Sequence, residues 1–203
     1  MTQEDLETRD RILDAAEQAF ADSGYAGARV NAIAAAAGAN KAMIYYYFKS
    51  KEGLYRAVLE RTFDLLIEQL SAHIEQAPQA DVLAFLRGYR SVIRAHPSMS
   101  RLIMRDLADG GANVISTLVP RFQRVMGSMG AALQAGQAEG RVNPDIMPMI
   151  ATPVLIAPFV LFSMVSPMMS AATGLPPEAL TDPFDQTAEA ILLNGLLCPP
   201  ENP

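Results

Sequence analysis

The octapeptide Lys41-Ala42-Met43-Ile44-Tyr45-Tyr46-Tyr47-Phe48 concentrates ammonium and phenol groups that donate hydrogen bonds to anionic oxygens and base edges. Read as a helix, it turns Ile44 and Phe48 inward at i, i+4. Lys41, Ala42, Tyr45 and the following Lys49 are left on outward faces, with Tyr46 and Tyr47 between them and the core. A short helix of this kind is too polar and aromatic to be core alone. Helix-turn-helix units set such a helix in the major groove of DNA.

Other chemistries lack their residues. The histidines are His73 and His96, with no cysteine or carboxylate at metal-ligand spacing around them. No Gly-x-Ser-x-Gly elbow occurs, and no glycine-rich or lysine-bearing phosphate loop. The expectation is a non-enzyme with no metal and no cofactor. Cys198 stands alone, so no intrachain disulfide can form, and it reads as a packed small hydrophobe. The acidic, polar N-terminus is unlike a secretory signal, which makes a reduced cytoplasmic location the expected one.

The elements that must position the octapeptide are equally legible. Val30, Ile33, Ala34 and Ala37 fall at i, i+3, i+4 and i+7, a buried stripe on a short helix. Gly38 follows where the chain must turn, and Asn40 is placed to cap the second helix. Before them, Thr8 is read as the cap of a first helix whose inner stripe is Ile12, Ala16, Ala19 and Phe20.

With these flanks, residues 8 to 61 resemble the DNA-binding domain of the TetR family of bacterial transcriptional regulators. The resemblance rests on Thr8 through Ala16 (TRDRILDAA), Phe20 followed by Gly24-Tyr25, Ile33-Ala34 with Ala37-Gly38, and Ile44 through Glu52 (IYYYFKSKE) with Leu54. It implies that Lys41, Ala42 and Tyr45 approach base edges. Arg29, Asn40, Tyr46, Tyr47 and Lys51 would hold phosphates. Where the family commonly has a threonine just before the second helix, this chain has Ala28-Arg29. A hydroxyl contact is lost there, and Arg29 offers a charge-assisted one instead.

The charge distribution agrees. The 203 residues carry a net charge of −6, yet residues 29 to 61 carry six cations against Glu52 and Glu60, a local +4. No basic residue follows Arg141. The pattern is a basic reader on an acidic body.

Apolar periodicity at helical spacing runs through the rest, without strand-like alternation. The fold class is all-α, with about nine helices: a three-helix DNA-binding domain over 1–55, then a helical ligand-binding and dimerisation domain over 56–203. A fourth helix is expected from about Glu52 past Leu70, and another over 80–95. Asn143-Pro144 and Asp182-Pro183 read as helix starts.

Residues 146 to 172 are uncharged, and Met147 to Val165 is nearly all apolar. That length matches a membrane span, so a membrane-associated helical protein is the alternative from another class. Pro148, Pro153, Pro158 and Pro167 puncture it, and no Lys/Arg cluster flanks it. Burial between subunits is the preferred account, with kinks or a break at the prolines. The resemblance implies a homodimer through roughly 146–172 and 184–197, bound to a palindromic operator in double-stranded DNA.

It also implies a small-molecule effector in the body, and a repressor that the effector releases. A ligand-free regulator or activator is the alternative. Phe63, Phe85, Tyr89, Met99, Met104, Phe122, Met126 and Met129 are candidate walls, which favours a hydrophobic ligand. Ordinary core is the other reading of each. Arg87, Arg90, Arg94, Arg101 and Arg105 form a second group. Arg90 in particular is placed to meet an acid, unless these arginines simply pair with Glu68, Glu75 or Asp106.

Overall fold

The computed structural model describes residues 3–76 and 82–196. Among them are nine helices and no strand: α1 (Gln3–Gly27), α2 (Val30–Ala36), α3 (Lys41–Phe48), α4 (Lys51–Gln76), α5 (Val82–Ala95), α6 (Pro97–Ala108), α7 (Ala112–Ala138), α8 (Pro148–Thr173) and α9 (Pro177–Leu196). Cys198 lies outside the described residues, as does the side chain of His73. The helices fall into two compact units. One comprises Met1–Leu66 and His96–Arg121, the other Ile67–Ala95 and Phe122–Pro203. Both α4 and α7 contribute residues to each.

In the first unit, α1 buries Ile12, Leu13, Ala16 and Phe20 on one face and packs chiefly against α6 and α2. Thr8 does not cap this helix. Helix begins at Gln3, five residues earlier, with Glu4 and Asp5 in the first turn where carboxylates favour the exposed amides. Thr8 is instead buried, and its Oγ1 accepts from Arg11 Nη2 at 3.1 Å. Around Phe20 the rings of Tyr55 (4.8 Å between centroids) and Tyr25 (6.3 Å) complete an aromatic cluster.

Asp106 ties three helices of this unit together. Buried on α6, it accepts from Tyr55 Oη on α4 (3.1 Å), Asn113 Nδ2 (3.0 Å) and the Val114 amide (2.8 Å) at the start of α7. A carboxylate removed from water is tolerable here because donors surround it. Burial and the Asp106 charge together push the Tyr55 phenol well above its ordinary range.

In the second unit, α5 buries Phe85, Leu86, Tyr89, Val92 and Ile93 and turns Arg87, Arg90 and Arg94 the other way. It packs on α8, and α8 packs on α9. Ala151, Leu155, Phe159 and Phe162 form the buried stripe of α8. Phe184 of α9 stacks on Phe162 with centroids 3.9 Å apart and meets Phe159 edge-on.

Two expected helix starts are corrected. Asn143-Pro144 lies in a turn, where Asn143 Oδ1 accepts from the Asp145 amide at 2.9 Å, and α8 begins only at Pro148. Gln137 Nε2 pins that turn by donating to the carbonyls of Asn143 (3.0 Å) and Ile146 (2.7 Å). Asp182-Pro183 falls inside α9, which starts at Pro177. The N-terminal position expected of Pro183 is taken by Pro177, six residues earlier, where a missing N–H costs the helix no bond.

The prolines of α8 do not break it: Pro148–Thr173 is one helix with Pro153, Pro158 and Pro167 inside. Each interior proline lacks the N–H that would bond to the carbonyl four residues back. At Pro167 the carbonyl so freed is that of Ser163, and Ser166 Oγ donates to it at 3.4 Å. Burial of the Leu155–Phe162 stripe supplies the stabilisation that propensity does not.

Candidate nucleic-acid interface

The turn between α2 and α3 is built as the sequence reading requires. Gly38 takes φ +62°, the left-handed conformation that glycine adopts without steric cost. The Ala39 amide bonds to the Ala34 carbonyl (2.9 Å) and the Gly38 amide to that of Ala35 (3.2 Å), the paired bonds of a Schellman ending. Asn40 then caps α3, its side chain accepting from the Met43 amide at 2.9 Å. That bond uses the oxygen of Asn40 and not its NH2.

Ile44 and Phe48 are buried, so the outward face of α3 is fixed. Lys41, Ala42, Tyr45 and Tyr46 are exposed, Tyr46 at 67%. Lys41 Nζ lies 5.8 Å from the Tyr45 ring centroid, and Lys49 Nζ lies 5.8 Å from that of Tyr46. These cation–π contacts hold lysines over phenols without consuming their charge. Arg29 stands at the start of α2 with an exposed side chain that makes no capping bond. Lys51, at the start of α4, rests 4.9 Å from the Tyr25 centroid and donates to the Ala26 carbonyl at 3.3 Å. One helix-turn-helix thus presents cations and phenols from α2, α3 and α4 in one compact unit.

Tyr47 behaves differently from its neighbours. Its hydroxyl donates to Asp5 Oδ1 in the first turn of α1 at 3.0 Å. Desolvation, that hydrogen bond and the charges of Asp5 and Glu4 raise its phenol above the ordinary range. Nothing in the spacing of residues 42 apart announces this pair.

Two arginines that sequence reasoning passed over also shape the reader. Arg11 Nε donates to the Ala37 carbonyl at the end of α2 (3.3 Å), while Arg9 lies 5.5 Å from the Phe48 ring centroid. Arg9 lies one helical turn after Asp5 and Arg11 one after Thr8, and both stand in the Thr8 to Ala16 stretch that carries the family resemblance.

The candidate effector residues divide between the units. Phe63 and Met104 belong to the first, Phe63 fully buried. Phe85, Tyr89, Arg90 and Met129 belong to the second. There Phe85 and Tyr89 are brought together, stacked at 6.3 Å, and burial raises the Tyr89 phenol. The side chains of Phe122 and Met126 lie outside the described residues.

Four of the five arginines meet acceptors in the contacts described, none of them Glu68 or Asp106, and the side chain of Glu75 lies outside the described residues. Arg90 Nη1 reaches Glu189 at 2.8 Å, and Arg94 reaches Asp182 (2.7 Å) and Asp185. Arg101 lies 3.9 Å from Asp22, and Arg105 donates to the Asp22 carbonyl at 2.8 Å. Arg87, Arg90 and Arg94 line a polar groove of about 580 Å³ with the acidic residues of α9.

Comparison with known proteins decides the family. The model for bacterial regulatory proteins of the tetR family matches residues 12–58, the stretch from mid-α1 into α4. The transcriptional regulator RutR of Escherichia coli K12 is 30% identical over 191 residues, spanning 91% of this chain and 88% of RutR. The chain belongs to the TetR family. It is a DNA-binding transcriptional regulator. The repressor NicS of Pseudomonas putida is 33% identical over 146 residues, 68% of each protein.

Solved structures of transcriptional regulators agree in fold. A regulator from Marinobacter aquaeolei VT8 superposes with a TM-score of 0.76 at 19% identity, covering 98% of this chain and 100% of that one. FadR from Bacillus subtilis, solved in complex with stearoyl-CoA, gives 0.70 at 19% identity, covering 92% and 98%. At these identities the likeness speaks for the fold alone.

Proposed function

We propose that this TetR-family regulator is a cytoplasmic homodimeric repressor that leaves a palindromic operator when a small apolar or amphipathic molecule binds its body. Residues 1–55 form the reader and 56–203 the effector-binding and dimerisation part. The observation that carries the reading is the exposed basic and phenolic face of α3, opposite its buried Ile44 and Phe48. Lys41, Ala42 and Tyr45 read base edges. Arg29, Asn40, Tyr46, Tyr47 and Lys51 hold phosphates, Asn40 through the NH2 that its capping bond leaves unused.

Substitutions separate the two roles. Phosphate contacts release counterions, so Lys51→Ala weakens binding to every sequence and lowers the salt slope by about one per subunit. Lys41→Ala instead relaxes sequence preference, by about 1–3 kcal/mol for a good base contact. Binding isotherms on operator and scrambled duplexes at several salt concentrations check both. Unchanged affinity in both variants would remove the assignment.

Dimerisation is assigned to the apolar surface of α8 and α9. Met149 (74% exposed), Ile150, Val154, Leu161 and Met168 face away from the buried stripe of α8. Ile146, Met147, Ile150, Val154, Ile191 and Leu192 line a groove of about 460 Å³. A surface so apolar calls for a cover, and a second copy supplies one by twofold symmetry. Helix α8 also has the length and hydropathy of a membrane span, with a mean hydropathy of 2.0. Recovery of the protein in the membrane fraction after salt washing would favour that second reading.

For the effector, Phe85, Tyr89 and Met129 supply a buried apolar wall in the second unit. Arg90 is already engaged by Glu189, so an acid reaching it must displace a carboxylate. Operator release by a panel of neutral hydrophobes, fatty acids and sugars tests the class. A 100-fold loss of operator affinity requires close to 3 kcal/mol of coupling, by about the upper end of what effectors achieve. Release by sugars alone overturns the apolar site, and no release by any class favours the ligand-free regulator.

A further inference from the structure

Tyr47 has one phenolic proton and two anionic claimants for it. In this structure the proton goes to Asp5 Oδ1, 3.0 Å away on the first turn of α1. On DNA, under the reading above, it goes to a phosphate oxygen. A carboxylate and a phosphodiester are the same kind of acceptor, each forming short charge-assisted bonds with hydroxyl donors. One hydroxyl cannot serve both.

The electrostatics oppose the exchange as well. Asp5, hydrogen-bonded to the Tyr47 hydroxyl, and Glu4 beside it in the first turn of α1 both place negative charge near that phenol. A phosphate arriving there meets like charge before it gains a donor. The neighbouring phenols differ, since Tyr45 and Tyr46 carry lysines against their rings. Three consecutive tyrosines therefore meet DNA under two electrostatic regimes.

We infer that Asp5 is an internal stand-in for a DNA phosphate, occupying Tyr47 until the backbone displaces it and thereby holding down affinity for duplex DNA of any sequence. The inference rests on the reading of Tyr47 as a phosphate contact. A carboxylate at this position also serves α1 by sitting near its free amides. Glu4 shares that service and acts on Tyr47 through its charge, so it provides the control for Asp5.

The experiment measures binding of the full chain to a mixed-sequence duplex by fluorescence anisotropy at fixed salt. It uses the wild type, Asp5→Asn, Glu4→Gln, Tyr47→Phe and the double variant Asp5→Asn/Tyr47→Phe, each verified as folded by its thermal transition. Asp5→Asn is expected to tighten binding by about tenfold, as a charge-assisted competitor gives way to a neutral one. Glu4→Gln is expected to tighten it by about twofold, through screened charge alone. In the Tyr47→Phe background the Asp5→Asn gain should shrink to that of Glu4→Gln.

Equal effects of Asp5→Asn and Glu4→Gln in the wild-type background overturn the inference, and so does an Asp5→Asn gain undiminished by Tyr47→Phe. Both outcomes leave the phosphate role of Tyr47 standing. A different result strikes the underlying reading itself: Tyr47→Phe causing no loss of affinity in the Asp5→Asn background, where the competitor is already gone.

Discussion

Ile191→Arg is expected to convert the proposed dimer into a folded monomer with little residual operator affinity. Ile191 is 68% exposed in the protomer and lies in the α8–α9 groove, so its side chain contributes little to folding a single chain. In a twofold interface each substitution is present twice, and each places a guanidinium among Ile150, Val154 and Leu192 with no carboxylate described beside it. An unpaired buried charge costs about 3–5 kcal/mol, so the dissociation constant should rise by about a thousandfold or more. Sedimentation at micromolar concentration reads the mass, and the thermal transition reads the fold. Leu192→Arg is the contrasting case: Leu192 is half-buried within its own protomer, so that variant loses folding stability too. An Ile191→Arg protein that still sediments as a tight dimer would move the interface elsewhere.

The second large effect belongs to Asp106→Ala. Its carboxylate accepts from Tyr55 Oη, Asn113 Nδ2 and the Val114 amide, and truncation strands the buried Tyr55 hydroxyl and Val114 amide and frees the part-buried Asn113 amide. Stranding buried donors costs about 1–3 kcal/mol each where water cannot enter, so a total of about 3–5 kcal/mol is expected. Tyr55→Phe removes one donor and keeps the acceptor supplied by two others, so its loss should be about 1 kcal/mol. Urea unfolding of the two variants beside wild type gives the comparison. Equal stabilities would show that the network adds nothing to the packing around it.

Much of the reader could be read from residue order because its determinants are local. Gly38 lies between two short helices and Asn40 sits three residues before the amide it accepts, so turn and cap follow from nearest neighbours. Ile44 and Phe48 fix the outward face of α3 by their spacing alone. The helix starts at Thr8, Asn143 and Asp182 were misread for a related reason. A polar residue before proline or before an apolar run satisfies the same pattern in a turn, inside a helix or at a start, and only tertiary context chooses. At Asp182 that context is Arg94 on α5, which takes the carboxylate expected to cap a helix.

Long-range pairs left no sequence signal. The Tyr47–Asp5 hydrogen bond spans 42 residues, the Tyr55–Asp106 bond 51, and the Arg90–Glu189 pair 99. Charge counting anticipated that the α5 arginines would find carboxylates, but not that α9 would provide them. The continuity of α8 through three prolines was likewise illegible, because the packing of Leu155, Phe159 and Phe162 decides it rather than propensity.

The most direct test of a sequence-reading dimer uses duplexes tiled across the DNA upstream of the gene, with protein titrated at physiological salt. One palindromic duplex is expected to bind a dimer, about 10³-fold or more tighter than its scrambled counterpart. Equal affinity for every tile and its scramble would contradict it.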